Sequence, residues 1–168
     1  IYGYEASRPG ARESSGSLAH LRACSRAGVR PWSNLSWQEA ASACAAAEAR
    51  LCTAEEWAYA CGGENGSTFG YGADFDAMIC NHAVGAEEPT SIQPTGADPL
   101  CESNGIFDLH GNVKEWINDR DGNARALRGG AFNTPIESGL SCLQEGDWKD
   151  RNFRNPVIGF RCCRDEGL

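Results

Sequence analysis

The sequence lacks long apolar runs. No stretch in its 168 residues approaches the length needed to cross a bilayer, so membrane insertion is not expected.

Basic residues are also few: 15 Lys and Arg stand against 23 Asp and Glu, a formal net charge of -8. Nucleic acids and anionic membrane surfaces attract clustered positive charge, so neither is an expected partner. The negative charge is compatible with a hard cation such as calcium. An acidic surface that keeps a secreted protein soluble also explains it.

The sequence contains no CxxC pair, which argues against a zinc ribbon or a thioredoxin-type site. Its nine cysteines are instead dispersed along the chain, at Cys24, Cys44, Cys52, Cys61, Cys80, Cys101, Cys142, Cys162 and Cys163. Dispersed cysteines at this density are typical of disulfides formed in an oxidising space, which predicts a secreted or cell-surface protein. The odd count leaves at least one thiol free or paired elsewhere. The first residues have neither the basic start nor the apolar run of a signal peptide, as expected of a mature chain or of a cytosolic one.

Helical signals are confined to the first third of the chain. Residues 1–23 predict an irregular arm with one strand over 1–5. Ser36 followed by Glu39 has the spacing of a capping box, and the alanine-rich run after it predicts a helix over 37–48. Thr53 followed by Glu56 repeats the signal and predicts a second helix that reaches Cys61.

The rest of the chain predicts loops and short strands. Glycines punctuate a loop region that lasts from residue 62 to about residue 105. Short alternating runs then predict strands of a small antiparallel sheet over 106–109, 113–117, 126–127 and 157–163. No repeat or linker divides the sequence, so we expect one α+β domain over residues 1–168 with little regular secondary structure.

Four segments in a fixed order resemble the formylglycine-generating enzyme family, whose domain is also called the sulfatase-modifying factor domain. They are Trp37 to Cys44 with RLCTAEEW at 50–57, GIFDLHGNVKEW at 105–116, RGGAF at 128–132 and GFRC at 159–162. The resemblance covers roughly residues 30–165. It implies a disulfide-rich, C-type-lectin-like fold held by calcium, with two short helices and small antiparallel sheets.

The same resemblance implies a calcium site in the third segment. Its ligands would be the side chains of Asp108 and Glu115 and the carbonyls of Gly111 and Val113. Two carboxylates that flank a turn suit a cation that takes six to eight oxygens. Without the resemblance, the same carboxylates would be interpreted as solvated or as capping the turn.

A second calcium site of the family would begin at Asn81 and the His82 carbonyl. Its remaining acidic ligand has no clear match in this sequence, and Glu87 and Glu88 are the candidates.

The resemblance also implies disulfide pairs. The family's pairing gives Cys44–Cys162 and Cys61–Cys142. Cys80 and Cys101 bracket one loop and are expected to pair, and Cys52 is assigned to Cys163. Adjacent cysteines on a strand point in opposite directions, so Cys162 and Cys163 can reach different partners. Cys24 is left without a partner.

The family's chemistry requires two cysteines that this sequence lacks. Enzymes of the family oxidise a substrate cysteine to formylglycine with molecular oxygen, and the two cysteines hold copper(I) and the substrate thiol. The corresponding positions here are Thr134 and Gly139. Neither residue offers the soft thiolate that copper(I) prefers, so no copper is expected.

Few other residues suggest a site. The three histidines lie far apart in the sequence, and His110, within the predicted calcium turn, is expected to be exposed. Four of the five tryptophans lie in or beside predicted elements and are expected in the core. Trp148 is the candidate for an exposed recognition aromatic.

Three hypotheses of function follow. The first is a non-catalytic, calcium-stabilised extracellular domain that binds a protein or glycan ligand or assembles with other copies of itself. The second is an oxidoreductase of the same family with altered chemistry, which would need a redox-active thiol such as Cys24 or Cys142. The third is a variable ligand-display protein whose variation would lie in residues 133–156.

Overall fold

The computed structural model describes residues 1–16, 21–86 and 90–165. Within these ranges the chain forms two α-helices and ten short strands. The helices are α1 (Trp37–Ala45) and α2 (Ala54–Gly62). The strands are β1 (Ala6–Ser7), β2 (Cys24–Ser25), β3 (Arg50–Leu51), β4 (Glu102–Ser103), β5 (Ile106–Phe107), β6 (Lys114–Asp121), β7 (Ala124–Arg128), β8 (Asp147–Asp150), β9 (Ile158–Phe160) and β10 (Cys162–Cys163). No helix of the described ranges is both long and apolar enough to span a membrane.

Both helices begin at the predicted capping boxes. Ser36 accepts a hydrogen bond from the Glu39 backbone while the Glu39 carboxylate accepts one from the Ser36 backbone, and Thr53 and Glu56 repeat the arrangement. Helix α1 is shorter than predicted, because it ends at Ala45. Glu48 has a left-handed backbone with φ of 55°, which a continuing α-helix does not allow.

The main sheet has four strands in the order β8-β7-β6-β9. Strands β6, β7 and β8 pair antiparallel, but β6 and β9 pair parallel, so the expectation of purely antiparallel pairing was wrong. After β8, at one edge of the sheet, the chain crosses to the opposite edge, where β9 runs beside β6 in the same direction. The sequence also did not predict β8, since three of its four residues are charged and Trp148 is its one apolar residue.

The N-terminal arm contains a strand, but not where it was predicted. Residues 1–5 form no strand, and the pairing lies one step later, between β1 and β2. The first residues are instead fixed by single contacts: the Tyr2 backbone donates to the Cys162 carbonyl, and the Glu5 side chain is completely buried.

Four disulfides join elements that are distant in sequence. They are Cys44–Cys162 and Cys61–Cys142, the pairs that the family resemblance implied, with Cys80–Cys101 and Cys52–Cys163, the pairs that were assigned from their positions in the sequence. Cys24 is free and half-buried. The side chains of Cys162 and Cys163 point to opposite faces of β10, as alternation along a strand requires. Cys162 therefore reaches Cys44 in α1, and Cys163 reaches Cys52 between β3 and α2. Two bridges therefore tie α1 and the residue before α2's cap to β10, a third ties α2 to the loop before β8, and the fourth closes the central loop.

Two apolar clusters form the core. The larger lies between α1, β3 and the main sheet and includes Trp32, Trp116 and Phe160. The smaller surrounds Trp57 on α2 and includes Leu109 and the Cys61–Cys142 bridge. The motif at 105–116 runs between the two clusters, which places its carboxylates in the interior.

Candidate functional site

The interior contains a cluster of four charged side chains, which we call the buried charge cluster: Glu5, Asp108, Glu115 and Arg161. Each is at most 6% exposed. They come from the N-terminal arm, the loop before β6, the strand β6 and the segment between β9 and β10. Three carboxylates thus share the interior with one guanidinium.

Glu115 is the fully partnered acid of this cluster. Arg161 donates to both of its carboxylate oxygens, with the closest contact from Nη2 to Oε1 at 2.9 Å. The Trp57 indole Nε1 donates to Oε2 at 2.8 Å. Arg161 also donates to the carbonyls of Tyr2 and Phe107, so all of its nitrogens are used. This pair joins both core clusters to the N-terminal arm.

Asp108 and Glu5 have no positive partner of their own. Asp108 accepts from the Gly96 backbone at 2.6 Å, and burial raises its pKa to about 6. Glu5 accepts from the Val113 backbone at 2.9 Å and from the Asn112 amide at 2.6 Å. Burial, with Asp108 and Glu115 adding negative charge, raises the pKa of Glu5 well above its usual range. Burial and mutual repulsion therefore disfavour the ionised forms of Glu5 and Asp108, because Arg161 alone cannot balance three carboxylates.

Within the cluster, the carboxylates that would suit a calcium ion are those of Asp108 and Glu5. Carboxylate oxygens without a cationic partner are the ligands that a hard cation prefers. Glu115, by contrast, is already paired with Arg161. Asp108, with the carbonyls of Gly111 and Val113, would hold the ion, and Glu115 would reach it only by sharing its carboxylate with Arg161. The described part of the chain contains two groups of three Cys, His or acidic side chains whose ligand atoms lie close together, and neither group includes Asp108 or Glu115.

The second predicted calcium position is occupied by internal contacts. The Asn81 amide donates to the Ser91 carbonyl and to the Asn112 side chain, and the Asn81 carbonyl accepts from the Asn112 backbone at 2.9 Å. The His82 ring packs against Phe75, and its Nε2 is buried with no hydrogen-bond partner among the described residues. Glu87 and Glu88 lie outside the described residues. Asn81 therefore supports the turn of the first site, while calcium binding here stays a prediction.

The positions of the missing cysteine pair lie side by side on the surface. Thr134 and Gly139 are both half-buried. A Cβ placed on Gly139 would lie 2.9 Å from the Thr134 Cγ2 methyl, so the two positions face each other directly. The Thr134 hydroxyl accepts from the Ala131 backbone at 2.8 Å, and the Thr134 backbone donates back to the Ala131 carbonyl. The geometry for two convergent side chains is present, and the sulfur atoms are not.

Comparison with known proteins identifies the family. The model of the sulfatase-modifying factor enzyme 1-like domain matches residues 3–166. The chain belongs to this family. It is a variant without the cysteine pair, as the motifs predicted.

Two curated relatives of the sulfatase-modifying factor family are similar to this chain. The protein named inactive C-alpha-formylglycine-generating enzyme 2 from Bos taurus is 30% identical over 155 residues, which are 82% of this chain and 51% of the relative. The protein of the same name from Mus musculus is 29% identical over 155 residues, 82% of this chain and 50% of the relative. The chain thus spans about half the length of these relatives.

Solved structures confirm the fold class. CarF superposes with a TM-score of 0.69 at 23% identity and covers 83% of this chain and 70% of its own. PvdO from Pseudomonas aeruginosa has a TM-score of 0.68 at 16% identity, and the match covers 94% of this chain and 76% of PvdO. Treponema denticola variable protein 1 has a TM-score of 0.66 at 17% identity, and the match covers 92% of this chain and 77% of that protein. The α+β formylglycine-generating-enzyme fold predicted from the motifs is therefore present.

His110 of the sulfatase-modifying factor motif is buried, and the expectation that it is exposed was wrong. It is 2% exposed and lies against the Cys61–Cys142 bridge, with Nε2 3.6 Å from the Cys61 sulfur. Its Nδ1 lies 2.8 Å from the Leu140 carbonyl, and its Nε2 accepts from the Gly70 backbone at 2.8 Å. Burial lowers the pKa of His110 to about 4. The neutral ring thus fixes Leu140, the neighbour of Gly139.

Among the described residues, the two groups that could offer three ligand atoms to a metal are both built on disulfides. One is Cys61, His110 and Cys142, and the other is Cys52, Glu56 and Cys163. The sulfur atoms are bonded to each other, so they are not thiolates. Glu56 in the second group is held by the Arg50 guanidinium at 2.7 Å, which lowers the pKa of Glu56 to about 2. Both groups act as structural contacts.

Trp148 is exposed, as predicted, with 40% of its surface accessible. It lies on the edge strand β8 opposite Ala126 of β7, rather than in a loop. The other four tryptophans are buried or half-buried, in agreement with the prediction.

Sequence reasoning missed Glu5 and Arg161. Arg161 lies inside the GFRC segment, where a guanidinium between Phe160 and Cys162 is flanked by two core residues. Glu5 is likewise flanked by Tyr4 and the buried Ala6. A charged residue between two core residues was therefore the available signal at both positions. The partners of Arg161 and Glu5 lie too far away in the sequence to be identified from residue spacing.

Proposed function

We propose that this domain is a non-catalytic, calcium-stabilised extracellular module that acts in ligand binding or self-assembly. The observation that carries the proposal is the pair Thr134 and Gly139. Their positions converge as a two-ligand site requires, but a hydroxyl and a hydrogen replace two thiolates. Without thiolates, copper(I) and a substrate sulfur have nothing to bind at this place.

The names of the relatives support the non-catalytic part. Both are called inactive formylglycine-generating enzymes, and both match this chain over 155 residues. Since the chain spans about half of their length, their other properties are not carried over.

The charge balance of the interior supports calcium. Two of the three carboxylates in the buried charge cluster have no cationic partner, and a bound divalent ion would neutralise them. When bound, calcium would supply positive charge and coordination at Asp108 and the turn carbonyls of Gly111 and Val113. The chain's own residues would orient Asp108 through the Gly96 hydrogen bond and hold the turn through Asn81 and Asn112.

The four disulfides support an extracellular or cell-surface location. They join segments 21 to 118 residues apart and so constrain most of the chain. Such bridges form and persist in oxidising compartments.

A second candidate function is variable ligand display. The segment 133–156 is exposed over much of its length and carries the exposed side chains of Ile136, Leu143, Trp148 and Phe153. One of the proteins with this fold is named a variable protein. Sequences of natural variants would distinguish this candidate, because it requires substitutions concentrated in that segment.

The altered-chemistry oxidoreductase has less support. Cys142 is bonded to Cys61 in the core, so it offers no thiol. Cys24 is the free cysteine of the described chain and lies half-buried in the small β1–β2 sheet, where it pairs with Ser7.

The experiment is a metal and activity analysis of the purified, oxidised domain. We expect calcium, no copper and at most one titratable thiol. We also expect no aldehyde above a protein-free control when the domain is incubated with a sulfatase-type cysteine peptide, copper and a mild reductant. Aldehyde formation would overturn the proposal, and calcium-free protein with unchanged stability would remove its calcium part.

A further inference from the structure

A groove of about 590 Å³ lies between the N-terminal arm and the exposed side of α1. We call it the arginine groove. Its wall includes Arg8, Arg30, Trp32, Gln38, Ser42 and Arg154. This is the volume range of small-molecule sites in proteins.

The groove is a basic surface on an acidic protein. Residues 1–35 hold five of the 15 basic residues but two of the 23 acidic ones, one of which is the buried Glu5. The rest of the chain carries the negative charge. A cleft lined by one sign of charge concentrates ligands of the opposite sign, even when the net charge of the protein is unfavourable.

The acid at the groove, Glu39, offsets one of its three arginines, Arg154, and leaves the groove with a positive balance. Its Oε2 accepts hydrogen bonds from the Ser36 backbone and hydroxyl, and its Oε1 pairs with Arg154 at 2.8 Å. The half-buried Arg30 has no carboxylate and no side-chain hydrogen bond among the described residues. A guanidinium in this situation presents its full set of donors to a ligand.

The aromatic residue of the groove favours an anion over a neutral sugar. The Arg8 guanidinium lies 4.1 Å above the Trp32 ring, and Trp32 is 8% exposed. The ring face is therefore covered and offers no stacking platform. Gln38 and Ser42 are four residues apart on α1, so they lie on one face and provide polar groups beside the arginines.

We propose that the arginine groove binds a small organic anion, with its carboxylate or sulfate group on Arg30 and with Arg154 as the second positive contact. The planar guanidinium matches both oxyanions in a two-point contact. This inference rests on the proposed ligand-binding function and narrows it to an acidic ligand.

The test is calorimetric titration with glucuronate, glucose 6-sulfate and glucose. The first two distinguish a carboxylate from a sulfate source, and the third is the neutral control. We expect saturable binding of at least one anion and none of glucose. Arg30→Gln should weaken the binding about tenfold or more, because a charge-assisted contact is lost.

Arg120→Gln is the matched control. Arg120 is an exposed arginine on β6, outside the groove, and its replacement changes the net charge by the same amount. Unchanged affinity in this variant supports the groove. An equal loss in both variants, equal binding of glucose, or no binding of either anion overturns the inference. The proposed function would stand even if the groove bound no anion, because it is tested separately by the assay for aldehyde formation and by the response of Tm to calcium.

Discussion

The buried charge cluster and the Thr134–Gly139 loop differ in what holds them. In the cluster, Arg161 and Glu115 hold each other through charge and hydrogen bonds, while Glu5 and Asp108 accept hydrogen bonds from the backbone of distant segments. In the loop, Thr134 and Gly139 are half-buried, and the contacts of Thr134 are hydrogen bonds with the backbone of Ala131 and Ala83, without any charged partner. The comparison shows that in this chain the scaffold and the positions of the missing chemistry depend on separate residues. The groups at positions 134 and 139 can therefore differ from those of the enzymes while the contacts of the interior remain.

The largest effect is expected from breaking the cluster at Arg161. Arg161→Met leaves Glu115 buried without a counter-charge, and breaking such a pair typically costs about 3–5 kcal/mol. Urea unfolding at pH 7 measures the change in the free energy of unfolding. The control is Arg50→Met, since Arg50 pairs with Glu56 and Asp165 at the surface, where such pairs contribute about 0–1 kcal/mol. Equal losses in the two variants would show that the cluster does not carry the fold.

A smaller effect is expected from acid, through His110. Because burial lowers the pKa of His110 to about 4, the folded protein resists protonation that the unfolded chain accepts near pH 6.5. The stability from the neutral ring is complete above about pH 6.5 and is lost as the pH falls toward 4, by up to about 3 kcal/mol.

His110→Gln tests this dependence while retaining a donor for the Leu140 carbonyl and an acceptor for the Gly70 backbone. Urea unfolding from pH 7 to pH 4 should show a smaller loss in the variant than in the natural chain. Parallel pH profiles would mean that His110 is not the group responsible.

A third effect is expected from chelation of calcium. An ion present at a hundredfold excess over its Kd stabilises the native state by about 2.7 kcal/mol. For a domain of this size that corresponds to a fall in Tm of about 5–10 °C when chelator is added. Differential scanning calorimetry with and without chelator measures it.

Three variants resolve which carboxylate responds. Asp108→Asn should lower Tm in calcium and blunt the response to chelator; asparagine also tolerates the φ of 64° at this position. Glu115→Gln should lower Tm with and without calcium, because Arg161 then lacks its partner. Glu13→Gln, on the exposed arm, should change neither value. A chelator response that survives in Asp108→Asn would place the ion elsewhere.

The parts predicted from sequence are those with a local or a family signal. The capping boxes at Ser36 and Thr53 depend on residues three apart, so both helix starts were correct. Two of the disulfides, Cys44–Cys162 and Cys61–Cys142, followed from the family's pairing. The Arg161–Glu115 pair spans 46 residues and the Glu5–Val113 contact 108, and no local spacing reports such distances. The parallel pairing of β6 and β9 was missed for the same reason, since it depends on the path of the chain between them.

The smallest change in stability is expected from restoring the cysteine pair, a change that should also create a copper(I) site. Thr134→Cys with Gly139→Cys restores two thiols at facing positions. The backbone at Gly139 is not left-handed, so it accepts a side chain, and the methyl that would lie 2.9 Å from the new Cβ is removed by the change at Thr134. We expect the free energy of unfolding to change by about 1 kcal/mol or less, because both positions are half-exposed.

The double variant should bind copper(I), because soft thiolates are its preferred protein ligands. Competition with a chromogenic copper(I) chelator in ascorbate measures the affinity, and a thiol count shows that the new cysteines are reduced. The single variant Thr134→Cys should bind far more weakly, since one thiolate cannot chelate. Equal binding by the natural chain would show a copper site elsewhere. A reduced double variant that binds no copper would show that the loop has lost more than its sulfur atoms, and the separation of scaffold from chemistry would then be incomplete.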